Sequence, residues 1–227
     1  MDPIRRAASW RALWIFIVCM LLLASLLAGF FRPSFMDVPS FFILAVTAYV
    51  AFHIYLVRRP TSGSSLRSQA RIWLLVSIGF LYLALDEALS FHERIDFFIH
   101  WMFQAKETAL SDRMDDLIVL LYGIIGLIIL YFHRGEFWGF RRHQSLVVTG
   151  FGFLVIMVLM DVIGNRSDLL RYFDLNAEAA HRAQKWCELI EDTCKLAGEC
   201  AFLIAFARVY DSYVTQIYES RISETAV

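Results

Sequence analysis

The chain has 227 residues, 59% of them apolar and 19% charged, with a formal net charge of −1. Soluble domains run at about 45–50% apolar, so the mean hydropathy of +0.56 excludes a disordered, collagen-like or disulfide-stapled chain. The near-neutral balance gives no basic field, so nucleic acid is not an expected partner; the lipid bilayer is.

Six segments are predicted to cross it. Arg5, Arg6 and Arg11 precede an uncharged run from Ala12 to Phe31. That run is long for a signal peptide and has no small-residue cleavage site, so it reads as a retained first span. Val38 to Val57 forms the second, interrupted only by His53. Arg58 to Arg71, with Pro60, Gly63 and four serines, reads as a flexible loop. The third span, 72–91, is apolar until Asp86 and Glu87; the fourth is 117–132; the fifth, 146–164, meets Asp161 near its end. The sixth, 186–210, carries five charged residues between Glu188 and Glu199. A spanning helix needs about 20 apolar residues, a length the third, fifth and sixth segments reach only by tolerating charge.

Between the spans, 92–116 carries Ile95, Phe98, Ile99 and Met102 at helical spacing, which predicts an interfacial helix. Leu169, Leu170, Tyr172 and Phe173 predict a shorter one within 165–185, and the polar tail beyond Asp211 is expected to fray. With the N-terminus inside, twelve basic residues fall in inner segments and eight in outer ones, the bias expected of cytoplasmic loops. The expected architecture is all-α: residues 1–227 as a single polytopic transmembrane helix bundle of six spans with two outer interfacial segments. Both termini are expected in the cytoplasm, and a bacterial inner membrane is the expected location.

The acids within the predicted spans are Asp86, Glu87, Asp161, Glu188, Glu191, Asp192 and Glu199. Each costs about 2.5–3.5 kcal/mol near a helix centre, so they need partners. At about 100° per residue, Glu188, Glu191, Asp192, Lys195 and Glu199 fall on one stripe, with Glu191 and Lys195 in the favourable i,i+4 order. Ala197, Ala201 and Ala205 recur every four residues and permit close helix approach. On the third span, Asp86, Ser90 and Glu93 share a face if the helix continues; His92 joins Glu93 only if it ends or bends near Phe91. Asp115 and Asp116 open the fourth span, and Asp161 and Asn165 close the fifth. Alternating direction brings all these groups to one depth, in the outer leaflet.

Two chemical readings follow. Asp86, Glu87, His92, Glu93 and His181 are candidate ligands for a divalent metal ion such as zinc, iron or manganese. Glu191, Asp192 and Lys195 are candidate catalytic residues, with Glu191 or Asp192 as a general base for metal-bound water. Glu178-x-x-His181 and the His92, Asp96, His100 face are weaker metal patterns. Against these stands an ion-pair network that fixes helix packing. Cys19, Cys187, Cys194 and Cys200 form no C-x-x-C pair and read as packing residues, as does His53. Gly123 and Gly126 read as helix contact points.

The segment Leu85-Asp86-Glu87 … His92-Glu93-Arg94 resembles a motif of uncharacterised bacterial polytopic membrane proteins, with an echo around Glu191 to Gly198. That resemblance implies a shared fold and no particular activity. Glu191-Asp192-x-x-Lys195 resembles the Glu-Glu-x-x-Lys motif of PrsW-type membrane peptidases, with Asp in place of the second Glu and without that family's other polar helices. Alkaline ceramidase-like membrane hydrolases likewise gather Ser, Asp and His near one membrane face, but their late pair of helix histidines is missing here. Neither enzyme resemblance assigns a catalytic residue. The expected functions are a structural, assembly or sensing component, working with other membrane proteins or as a homo-oligomer; a membrane-embedded metal-dependent hydrolase of lipid or peptide; or a proton- or cation-coupled transporter.

Overall fold

A computed structural model describes residues 37–59, 70–91, 94, 95, 98, 102, 114–139, 141–164 and 177–225. The first predicted span, 12–31, lies outside the described residues, as do the loop 60–69, His92, Glu93, Asp96, Ile99, His100 and the second interfacial segment at 169–173.

The described residues are helical throughout, apart from single turn residues. In chain order the helices are α1 (Asp37–Arg58), α2 (Arg71–Leu89), α3 (Met114–Phe132), α4 (Arg134–Gly139), α5 (Arg141–Gly164) and α6 (Ala177–Thr225). Val38–Arg58, Arg71–Leu89 and Gln144–Gly164 are long and apolar enough to cross a membrane, and Leu120–Phe132 is a shorter apolar helix. The second to fifth predicted spans thus coincide with α1, α2, α3 and α5.

The sixth does not keep its expected limits. Where a loop up to residue 185 and a frayed tail were expected, α6 runs unbroken for 49 residues. At a rise of about 1.5 Å per residue it is about 74 Å long, well beyond a bilayer of about 40–45 Å with its headgroups. The cause is local: between Ala177 and Thr225 there is no proline and only one glycine, Gly198. Beyond Asp211 the hydroxyls of Ser212 and Thr215 bond back to the carbonyls of Arg208 and Asp211, so polar side chains there follow the helix rather than interrupt it.

α6 is the hub, packed against α5 along much of its length and against α1. Leu196, Cys200, Phe202, Leu203, Ala205, Phe206 and Val209 are all buried. Gly150 and Gly198 set the α5–α6 distance: a Cβ on Gly150 would lie 2.9 Å from the Phe202 ring, and one on Gly198 would lie 3.1 Å from the Gly150 carbonyl oxygen. Gly164 meets Cys187 in the same way, so the two helices run antiparallel. Gly123, expected as a contact point, faces open space, and Gly126 comes only within 4.0 Å of Phe151. The close-approach glycines lie on α5 and α6 because that is where backbones meet.

Between α1, α2, α5 and α6 the filling is aromatic. Trp73 meets Phe206 edge-on at 5.5 Å, Phe80 meets Phe202 and Phe206 at 5.6 Å each, and Phe151 meets Phe202 at 5.1 Å. Edge-to-face pairs of this kind add about 0.5–1.5 kcal/mol each beyond area burial. Two hydroxyls within this layer bond to backbone carbonyls, Thr47 to Ile43 and Ser77 to Ala48. His53 sits among Tyr49, Phe52 and Tyr210 as a packing residue. Cys187, Cys194 and Cys200 form no disulfide, and the last two are buried.

α2 ends at Leu89, close to the end or bend expected near Phe91. Ser90 adopts the left-handed conformation (φ 49°) and its N–H returns to the Asp86 carbonyl at 2.7 Å. Only glycine takes that conformation freely. Ser90→Gly is therefore expected to stabilise the fold slightly, by about 1 kcal/mol or less, because relief of the left-handed strain outweighs the added chain entropy of glycine; an unchanged or lower thermal midpoint would show that the Ser90 hydroxyl compensates the strain. Beyond the turn, Ile95, Phe98 and Met102 are helical and exposed, on the face expected of an interfacial helix.

Candidate functional site: two polar clusters bracketing an apolar layer

Polar side chains gather at both ends of the bundle. At the Ser40 end, the Lys195 ammonium of α6 donates to Glu87 Oε1 of α2 in an ion pair whose side chains are only 26% and 13% exposed. One turn further along α6, Glu199 is buried and accepts a hydrogen bond at Oε1 from Ser40 Oγ of α1, at 2.6 Å. Its second oxygen, Oε2, is buried with no hydrogen-bond partner among the described residues. Asp86 is also buried. One turn before it, Tyr82 bonds hydroxyl to hydroxyl with Tyr122 of α3 at 2.8 Å. The row Glu87, Lys195, Glu199, Ser40 thus ties α2, α6 and α1 together.

The candidate residues are placed unequally by this arrangement. Glu87 and Lys195, expected in separate metal and catalytic sets, are partners of each other. Glu191 and Asp192 are half-buried on the same helix. His181 stands apart: it is exposed, and it lies fourteen residues before Lys195 on an unbroken helix, about 21 Å along the axis. It therefore does not join Asp86 and Glu87, because α6 is one rod and does not fold back. Among the described residues no three His, Cys, Asp or Glu side chains come together as a metal site. Glu178, the partner expected for His181, accepts an exposed hydrogen bond from Arg182 at 2.9 Å. The candidate ligands His92 and Glu93 lie outside the described residues.

The Arg58 end holds a cluster that sequence reasoning missed. Glu136 of α4 is 4% exposed. The Arg58 guanidinium grips it with two bonds, Nε to Oε1 at 3.0 Å and Nη2 to Oε2 at 2.8 Å. The Trp73 indole N–H donates to Oε1 at 3.3 Å, and the Tyr213 hydroxyl donates to the same oxygen. The Arg58 guanidinium also lies 4.7 Å from the centre of the Tyr213 ring. α1, α2, α4 and α6 meet on one carboxylate. Burial, reinforced by the bond to Glu136, pushes the Tyr213 phenol above its usual range, so it remains a donor. A signal was present in the sequence: Glu136 is the single acid among His133, Arg134, Arg141, Arg142 and His143. An acid alone in a basic connection is a candidate anchor.

The separation of the clusters is informative. Ser40 and Arg58 are eighteen residues apart on α1, and Trp73 and Glu87 fourteen apart on α2. These spacings correspond to about 27 Å and about 21 Å, close to the hydrocarbon thickness of about 30 Å. The aromatic layer fills what lies between the two clusters.

The described residues form an all-helical bundle, and three of their helices are long and apolar enough to cross a membrane. Residues 27–210 match the family described as a domain of unknown function, DUF8692, and the chain belongs to that family. No curated protein and no solved structure matches it. The match contains every residue of the two clusters except Tyr213, and begins within the first predicted span.

Proposed function

We propose that the protein is an integral component of a bacterial inner membrane, with six spans and both termini in the cytoplasm, whose polar clusters hold the bundle in a defined state. On this reading it serves as a structural, assembly or sensing component, acting with other membrane proteins or as a homo-oligomer, rather than as an enzyme. The Ser40 end then faces outward and the Arg58 end inward. The observation that carries the reading is the ion pair between Lys195 and Glu87, which joins α2 and α6 and engages one candidate metal ligand and one candidate catalytic residue with each other. The packed aromatic layer between the clusters supports it further: among the described residues, the Thr47 and Ser77 hydroxyls in that layer bond to backbone carbonyls.

The test is a double-mutant cycle on the protein purified in mild detergent. Lys195→Met and Glu87→Gln should each lower the unfolding midpoint, and the two together should lower it by less than their sum. The expected coupling is about 0.5–3 kcal/mol. Additive losses would remove the clamp from the argument. Elemental analysis of the same wild-type preparation, made without chelator, is expected to show far less than about one zinc, iron or manganese ion per chain. A stoichiometric ion would instead favour the metal-dependent hydrolase.

A further inference from the structure

The geometry points to Glu199 as a proton-binding site, a carboxyl group that carries its proton in the closed bundle and loosens the Lys195–Glu87 clamp when it loses it. The inference deepens the sensing side of the proposed function and rests on that reading of the clamp. Three observations carry it. Glu199 is only 5% exposed. Its Oε1 accepts from a neutral hydroxyl, Ser40 Oγ, at 2.6 Å. Its Oε2 is buried with no donor among the described residues. An ionised carboxylate wants several donors or a close cation; among the described residues this one has a single neutral donor, and burial without compensation drives such a group to its neutral form.

The surroundings are few. α1 contributes Ser40. α5 approaches the neighbouring Gly198 with the Gly150 carbonyl, Phe153 and Leu154, none of them charged. Among the described residues, the charged groups that act on Glu199 are Lys195, one turn back on its own helix, and Glu87 of α2. The Lys195 ammonium is bonded to Glu87. Loss of the Glu199 proton leaves a carboxylate at i,i+4 from Lys195, the spacing at which lysine and glutamate meet on a helix. Lys195 is then shared between Glu199 on its own helix and Glu87 on α2, and the tie between α2 and α6 weakens. A proton fits better than sodium, because an alkali cation needs several oxygen ligands and Glu199 and Ser40 supply only a few.

A hydrophobic carbodiimide tests this directly, since it modifies protonated carboxyl groups within a membrane. The full-length protein in its own membranes would be treated with dicyclohexylcarbodiimide across a pH series, and the labelled peptides read by mass spectrometry. The expected result is labelling at Glu199 that falls about tenfold or more as pH rises through the titration of the group and is unchanged by sodium. Ser40→Ala, which removes the one donor to the carboxylate, should extend the labelling to higher pH. Absence of label on Glu199 at every pH would overturn the proposal, and so would protection by sodium, which would mark a metal-cation site. Glu199→Gln should lose the label while keeping the Lys195–Glu87 coupling energy. If the coupling is absent from wild type while Glu199 still labels, the clamp reading fails and the proton site stands alone.

Discussion

Arg58→Met should lower the stability of the detergent-purified protein by about 3–5 kcal/mol, the cost of leaving a buried carboxylate without its charged partner. Among the described residues, Glu136 would keep Trp73 and Tyr213 as donors, both on Oε1, and Oε2 would lose its bond from Arg58 Nη2. Arg58→Lys should recover only part of the loss, because an ammonium cannot make the two parallel bonds of a guanidinium. Adding Glu136→Gln to Arg58→Met should recover more, since the amide carries no charge yet still accepts from the indole and the phenol. Thermal unfolding reads all of these, and a wild-type midpoint for Arg58→Met would show that the cluster does not hold the helices. The phenol adds a pH dependence of known sign. A tyrosine raised in the folded state contributes fully below its unfolded value of about 10, and the contribution is lost only as pH climbs past that value toward the folded one. The Arg58 end is accordingly expected to be insensitive to pH through the neutral range.

The second large effect lies where α5 crosses α6. Gly150→Leu should cost about 3 kcal/mol or more, at or beyond the upper end of ordinary overpacking, because the first added carbon would already lie 2.9 Å from the Phe202 ring. Phe202 is itself packed edge-on against Phe80 and Phe151, so it cannot swing aside without disturbing the aromatic layer. Phe202→Ala alone should cost about 3–5 kcal/mol through the cavity it leaves. The double substitution should cost less than the sum of the two, because each change makes room for the other. Midpoints from the single and double variants decide this, and strict additivity would mean that the Gly150–Phe202 contact does not set the interhelical distance.

Much of the architecture was legible from apolar run length. The segments 38–57, 72–91, 117–132 and 146–164 became helices with ends shifted by five residues or fewer, because an uncharged run and its polar flanks are local properties. The polar stripe of the sixth span also foretold that its partners must hide it, and Ser40 and Glu87 do so. The helix end at Ser90 was legible only as an alternative, since a serine in a left-handed conformation has no distinct sequence signal. The extent of α6 is not legible from charge and polarity; the absence of proline and near-absence of glycine between Ala177 and Thr225 are the better guide.

What the sequence determined by itself is therefore the helical periodicity, the apolar lengths and the set of acids that would need partners, all of which arise within a few residues of chain. Which partner each acid takes was decided by the tertiary structure. Glu87 and Lys195 are separated by 108 positions, Ser40 and Glu199 by 159, and Glu136 and Tyr213 by 77. A carboxylate in an apolar setting demands a donor whatever its place in the chain. Only the antiparallel packing of α5 on α6, the shared direction of α1 and α6 and the close approach at Gly150 and Gly198 determine which donor comes within reach.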